Sequence, residues 1–183
     1  VWEQMGGDMN AGKGVKVAVI DGGIRPESPL FKDTGFSAPA SKPNNDYCAT
    51  VEPTFCNNKL IVARFSTPTF ATVPQEYMSP LGNGGHGTHT AGTSVGVPAK
   101  IKFNGSTNII PSVGGKPDES GFTEVTVSGV APGAYLMAYK ALFQVFRADG
   151  TVTGSGSNVM LLEALDWAVK DGADVINNSW GGS

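Results

Sequence analysis

From Val15 to Ile20 the chain is almost continuously apolar, broken only by Lys16, and it halts at Asp21-Gly22-Gly23. A run of this kind has no polar face to turn to water, so as a strand it must be covered on both sides. Asp21 then stands at the C-terminal tip of a buried strand. Leu60 to Ala63 has the same character, as does Ala134 to Leu142 after the turn-like Ala131-Pro132-Gly133. Between these runs, His86 to Val95 consists of small residues behind a glycine-rich entry, which predicts a short helix packed very close to a neighbour. Asn158 to Lys170 carries Leu161, Leu162, Leu165, Ala168 and Val169 at helical spacing, with Ser157 as N-cap and Gly172 as the stop. Val175 and Ile176 begin another strand that runs into Asn177-Asn178-Ser179-Trp180. Strand, helix and strand alternate, and the economical architecture is α/β: a doubly wound parallel sheet with helices on both faces. Val97 to Ser128 is long, polar and rich in Gly and Pro, and reads as an insertion loop containing a hairpin.

The 183 residues suffice for one domain with a real core. A net charge of −3, with no lysine or arginine cluster, excludes phosphate neutralisation and with it a nucleic-acid partner. No segment approaches the roughly 18 apolar residues that span a bilayer. The two cysteines, Cys48 and Cys56, have seven residues between them in a stretch rich in Asn, Pro and Thr. A local disulfide is the expected outcome, with free thiols or half a metal site as the alternative; a disulfide favours an oxidising, extracellular setting. The chain opens without a charged-then-apolar leader, so any signal peptide or propeptide is expected to have been removed or to lie outside these residues.

In a parallel sheet, ligands bind beyond the carboxyl ends of the strands, where Asp21 and the Asn177 to Gly181 tail emerge. Hydrolysis of a peptide by serine needs an imidazole to take the hydroxyl proton and a carboxylate to hold that imidazole in one tautomer. Asp21 and His86 fit those two jobs. Taken singly, Asp21 reads more readily as a turn-forming aspartate before Gly-Gly, and His86 as a helix N-terminal histidine. Taken together, the two runs resemble the subtilisin-like serine proteases, the subtilases. Val17-Ala18-Val19-Ile20-Asp21 is similar to that family's catalytic aspartate motif, and Gly85-His86-Gly87-Thr88-His89-Thr90-Ala91-Gly92 to its catalytic histidine motif. Gly129-Val130-Ala131-Pro132-Gly133 resembles its Gly-Val-Ala-Pro segment, and Asp174 to Gly181 its substrate-binding strand. The runs Gly23 to Phe31 and Cys56 to Arg64 look nearest to the secreted pyrolysin and cucumisin-like branch.

The resemblance implies a subtilisin-like fold, of which residues 1–183 would be the N-terminal portion of the peptidase domain. It implies that Asp21 orients His86, that His86 is general base and then general acid, and that His89 is structural. It further implies that Gly154-Ser155-Gly156 and Ser179-Trp180-Gly181 are extended edges between which a polypeptide substrate lies as an added strand. Partners expected on the same ground are the remainder of the catalytic domain, carrying the asparagine and the nucleophilic serine, and a propeptide before maturation. Three departures stand out. Gly22 replaces the family's usual Ser or Thr after the aspartate. The long 97–128 insertion takes the place of a short calcium loop, so a structural calcium has no supporting motif and no cofactor or metal is assigned. Neither the oxyanion-hole asparagine nor the Gly-Thr-Ser-Met segment occurs before Ser183, so residues 1–183 alone are expected to be nearly inert. Gly92-Thr93-Ser94 does not fill that gap, because Ser94 lies about two helical turns beyond His86 and points away from its ring. Two other readings remain: a catalytically silent peptide-binding relative, and a metal-binding protein using His86 and His89.

Overall fold

The computed structural model describes residues 2–104 and 121–182. The apolar run forms strand β1 (Lys16–Asp21), in which every residue but Lys16 is buried. It is followed by α1 (Tyr47–Thr50), β2 (Leu60–Phe65), α2 (His86–Val95), β3 (Ala99–Asn104), β4 (Phe122–Val127), β5 (Tyr135–Lys140), β6 (Phe143–Phe146), β7 (Val152–Ser155), α3 (Asn158–Lys170) and β8 (Val175–Asn177). The main sheet has the order β2-β5-β1-β8, with all neighbours parallel. β1 is therefore interior, as a strand with no polar face must be.

Alternation along the strands divides the core into two layers. Val17 and Val19 of β1, with Leu136 and Ala138 of β5, face a cluster that includes Ala91 and Val95 of α2. Ala18 and Ile20, with Met137 and Tyr139, face Ala164 and Ala168 of α3. One helix covers each face. In β2 the alternation slips: Leu60 and Ala63 share the α2 side while Ile61 and Val62 share the other. A register shift between Leu60 and Val62 against β5 is the cause.

α3 spans the residues its periodicity predicts, with Ser157 accepting from the Met160 N–H at 3.4 Å and Gly172 in the left-handed region at φ +84°. Its buried row, however, is Met160, Ala164 and Ala168, whereas Leu162 and Val169 are exposed. Apolar residues lie on nearly every side of this helix, so spacing alone does not select the side that meets the sheet. The Ala134 to Leu142 run contains β5 and ends just before β6, and β6 and β7 form an antiparallel hairpin that pairs Gln144 with Gly154. The 97–128 insertion contains the antiparallel β3–β4 hairpin; residues 105–120 of it lie outside the described residues. Among the described residues no helix is long and apolar enough to cross a membrane.

Cys48 and Cys56 form a disulfide. Asp46 caps α1 through the Ala49 N–H at 3.1 Å and accepts the Ala63 N–H of β2 at 3.0 Å, fastening the disulfide loop to the sheet. Asp171, just after α3, holds Arg64 of β2 through Nε at 2.7 Å and Nη2 at 2.8 Å and accepts the Tyr139 hydroxyl at 2.9 Å, tying helix to sheet.

Lys59, just before β2, is fully buried. Its Nζ donates to the carbonyls of Pro132 and Ala134 and stands 4.7 Å from the centre of the Phe36 ring. Burial pushes the Lys59 ammonium down to about 7. An unfolded lysine keeps its proton to about pH 10.4, so the unfolded chain binds more protons between these values, and this group makes stability rise with pH by up to about 1.4 kcal/mol per unit there. Below that window both states are protonated and the burial penalty is at full size. Lys59→Met cannot titrate, so urea midpoints at about pH 7 and about pH 9 should show the wild type gaining on the variant as pH rises. Parallel behaviour of the two proteins would contradict this account of Lys59.

Candidate active site

Asp21 ends β1 and is 2% exposed. A carboxylate so buried needs donors, and three groups supply them. The Gly22 N–H lies 2.6 Å from Oδ1, the Thr90 hydroxyl 3.2 Å from Oδ2, and His86 Nδ1 2.8 and 3.0 Å from the two oxygens. Thr90 Oγ1 also stands 3.1 Å from the Gly87 carbonyl, and its single proton serves one acceptor at a time. The strand end itself is fixed, since the Asp21 carbonyl accepts the N–H groups of Ala141 and Leu142 at 3.0 and 3.2 Å.

His86 is the first residue of α2, reached through Gly85 in the left-handed region at φ +76°. Its side chain is 60% exposed. With Nδ1 turned to an acceptor-only carboxylate, the proton of the neutral ring sits on Nδ1 and the lone pair on Nε2. The outward nitrogen is thus a base. Ring and carboxylate meet because α2 approaches β1 without side chains between them. A Cβ on Gly87 would lie 2.2 Å from the Gly23 carbonyl oxygen and 3.2 Å from Asp21 Cβ.

Asp21 and His86 line a cavity of about 300 Å³ together with Gly154, Ser179, Trp180 and Gly181. Ser155 and Gly156 are not part of that lining, although Ser155 continues β7 from Gly154. Trp180 Nε1 is buried without a partner among the described residues. Leu142, Phe143, Gln144 and Glu76 also line the cavity. None of these was signalled by motif. Thr90 could have been found, since it lies one turn beyond His86 on the same helix face. Glu76 could not, because its partners are remote in sequence.

Ser94 Oγ donates to the Thr90 carbonyl at 2.8 Å and accepts from Asn177 Nδ2 at 3.3 Å. Asn177 Oδ1 in turn accepts the Ser179 hydroxyl at 2.6 Å. Ser94 is therefore a strut between α2 and the end of β8. His89 is exposed. Neither histidine belongs to a three-ligand group among the described residues; the group of that kind is Asp46, Cys48 and Cys56, whose sulfurs are bonded to each other.

The structure so far defines an α/β protein with a buried carboxylate and an outward imidazole at the carboxyl edge of a parallel sheet. Residues 12–183 match the subtilase family, and the chain belongs to it. It is 32% identical over 182 residues to subtilisin-like protease SBT1.9 of Arabidopsis thaliana, covering 94% of this chain and 21% of that protein. It is 34% identical over 188 residues to subtilisin-like protease SBT3.4 of the same plant, covering 96% and 22%. The chain thus spans less than a quarter of the length of the curated relatives it matches.

Gly87→Ala should force β1 and α2 apart, costing about 1–3 kcal/mol and lengthening the contact between Asp21 and His86. Chemical denaturation together with histidine proton spectra tests this. A variant with wild-type stability and an unchanged imidazole signal would contradict the close-approach account.

Proposed function

We propose that residues 1–183 are the N-terminal portion of the peptidase domain of a serine endopeptidase, to which they contribute Asp21 and His86. The observation that carries the reading is the Asp21 carboxylate on His86 Nδ1 at 2.8 Å, with the ring's other edge toward an open cleft. A serine hydroxyl brought to Nε2 gives its proton to the imidazole as the oxygen attacks the peptide carbonyl. Asp21 stabilises the cation so formed. The imidazolium then returns the proton to the departing amine, leaving an acyl ester on the serine, and water attacking through the same base releases the acid. The serine and the oxyanion-hole asparagine belong, in this reading, to polypeptide outside these residues. The described serine on the histidine helix supports that assignment, because Ser94 is occupied as a strut.

Gly22 does not strip Asp21 of donors. Its own N–H and the Thr90 hydroxyl serve the carboxylate, which favours an active enzyme over a silent peptide binder. Polypeptide substrates would lie extended between the Gly154 to Gly156 edge and the Ser179 to Gly181 edge, held by main-chain bonds. A secreted location is supported by the disulfide. A propeptide covering the cleft before maturation completes the proposal.

The test is labelling of the full-length protein by a fluorophosphonate, which captures only an activated serine. In the related enzyme subtilisin, loss of the histidine costs about 10⁶-fold and loss of the aspartate about 10⁴-fold in kcat. Labelling should accordingly vanish in His86→Ala and fall severely in Asp21→Ala. A wild-type protein that takes no label would establish the silent reading instead.

A further inference from the structure

Lys140 ends β5, in register beside Asp21 of β1, and is fully buried. All three protons of its ammonium go to one neighbouring segment. Nζ stands 2.8 Å from Glu76 Oε1, 2.8 Å from the Tyr77 carbonyl and 2.8 Å from the Leu81 carbonyl. Glu76, whose side chain is 1% exposed, uses its other oxygen to accept the Gln144 N–H at 2.6 Å. Val73 N–H closes the attachment on the Gln144 carbonyl at 2.9 Å.

The held segment leads directly into the histidine. Pro80 accepts the Ile24 N–H at 2.9 Å, and the Gly82 N–H donates to the Ile24 carbonyl at 3.0 Å. Glycine is required on both sides of that contact, since a Cβ on Gly23 would lie 2.6 Å from the Pro80 oxygen and one on Gly82 2.9 Å from the Gly23 carbonyl carbon. The exit of β1 just after Asp21 and the approach to α2 just before His86 are therefore stitched together. Lys140 braces the stitch from beneath.

An apolar pair of equal volume would avoid burying two charges, an exchange that is often neutral or stabilising for the ion pair alone, though it would leave the Tyr77 and Leu81 carbonyls and the Gln144 N–H without these partners. What it could not do is hold two inward carbonyls and a carboxylate at fixed points. We propose that Lys140 and Glu76 are positioning residues that set the placement of His86 against Asp21 by anchoring the 76–82 segment to the end of β5. Lys140 lies outside the cavity lining and Glu76 is part of it, but the carboxylate of Glu76 is turned to Lys140 and the Gln144 N–H rather than to Asp21 or His86. The pair acts through the main chain between Glu76 and His86, and its catalytic consequence rests on the proteolytic reading above.

The double substitution Lys140→Met with Glu76→Leu removes the buried charges together and leaves an apolar core. In the full-length protein its thermal midpoint should recover above that of Lys140→Met alone, in which Glu76 is left a buried unpaired carboxylate, while the rate of fluorophosphonate labelling stays down by about 100-fold, the scale of a misplacement near 1 Å. With histidine-selective nitrogen labelling, the downfield proton on His86 Nδ1 should lose its wild-type position. A labelling rate that recovers along with the midpoint, or a proton signal identical to the wild type, would overturn the proposal. Should the double variant not fold, Glu76→Gln, which keeps the volume and leaves Lys140 its two carbonyls, serves the same comparison with a smaller loss in the same direction. The spectrum is read whether or not the protein hydrolyses anything. A wild-type protein that takes no label sinks the proteolytic reading, whereas a labelled wild type with unaffected variants sinks the positioning claim alone.

Discussion

A carboxylate buried to 2% exposure at the end of an interior strand is the constraint around which this structure is arranged. An isolated charge in such a place would neutralise or unfold its surroundings. Here a backbone N–H, a threonine hydroxyl and an imidazole converge on the two oxygens. Each donor arrives from a different piece of architecture: the turn after β1, the second turn of α2, and the helix's first residue. The sheet order follows the same need. β5 runs beside Asp21, in register with Lys140, and fixes the strand end that carries the carboxylate, while β8 pairs with Val17 to Val19 on the other side.

Close approach is bought by the absence of side chains. Gly23 and Gly82 let two backbones touch, and Gly87 lets the first turn of α2 rest on the carbonyl of Gly23. A glycine-rich helix is a poor helix by propensity, and α2 is held instead by packing of Ala91 and Val95 against the sheet. The strut from Thr90 through Ser94 and Asn177 to Ser179 then connects the histidine helix to the edge that follows β8. Cleft and carboxylate are thereby parts of one framework.

Much of this was legible in the residues, and for definable reasons. β1 could be read because a strand with no polar face has few places to go, α2 because small residues follow a glycine-rich entry, and α3 because a cap, a glycine stop and helical periodicity mark its ends. Asp21 and His86 stood out through the wording of the runs around them. The side of α3 that meets the sheet was not legible, since Leu162 and Met160 are equally apolar and only tertiary packing chooses Met160. The β6–β7 hairpin was hidden because Leu142 and Phe143 continue the apolar run of β5. Lys59 and Lys140 were invisible for a different reason. Their partners include main-chain carbonyls, which leave no mark in side-chain pattern, and the carboxylate of Glu76 lies far away in sequence.

The central claim is that Asp21 holds Nδ1 of His86 so that Nε2 is offered to a serine. A crystal structure of the full-length protein with a peptidyl phosphonate bound tests it most directly. The account predicts the Asp21 carboxylate within hydrogen-bond reach of His86 Nδ1, and Nε2 directed at the phosphonylated serine oxygen. An Asp21 carboxylate paired elsewhere, or a phosphonate bound to a serine remote from His86, would contradict it.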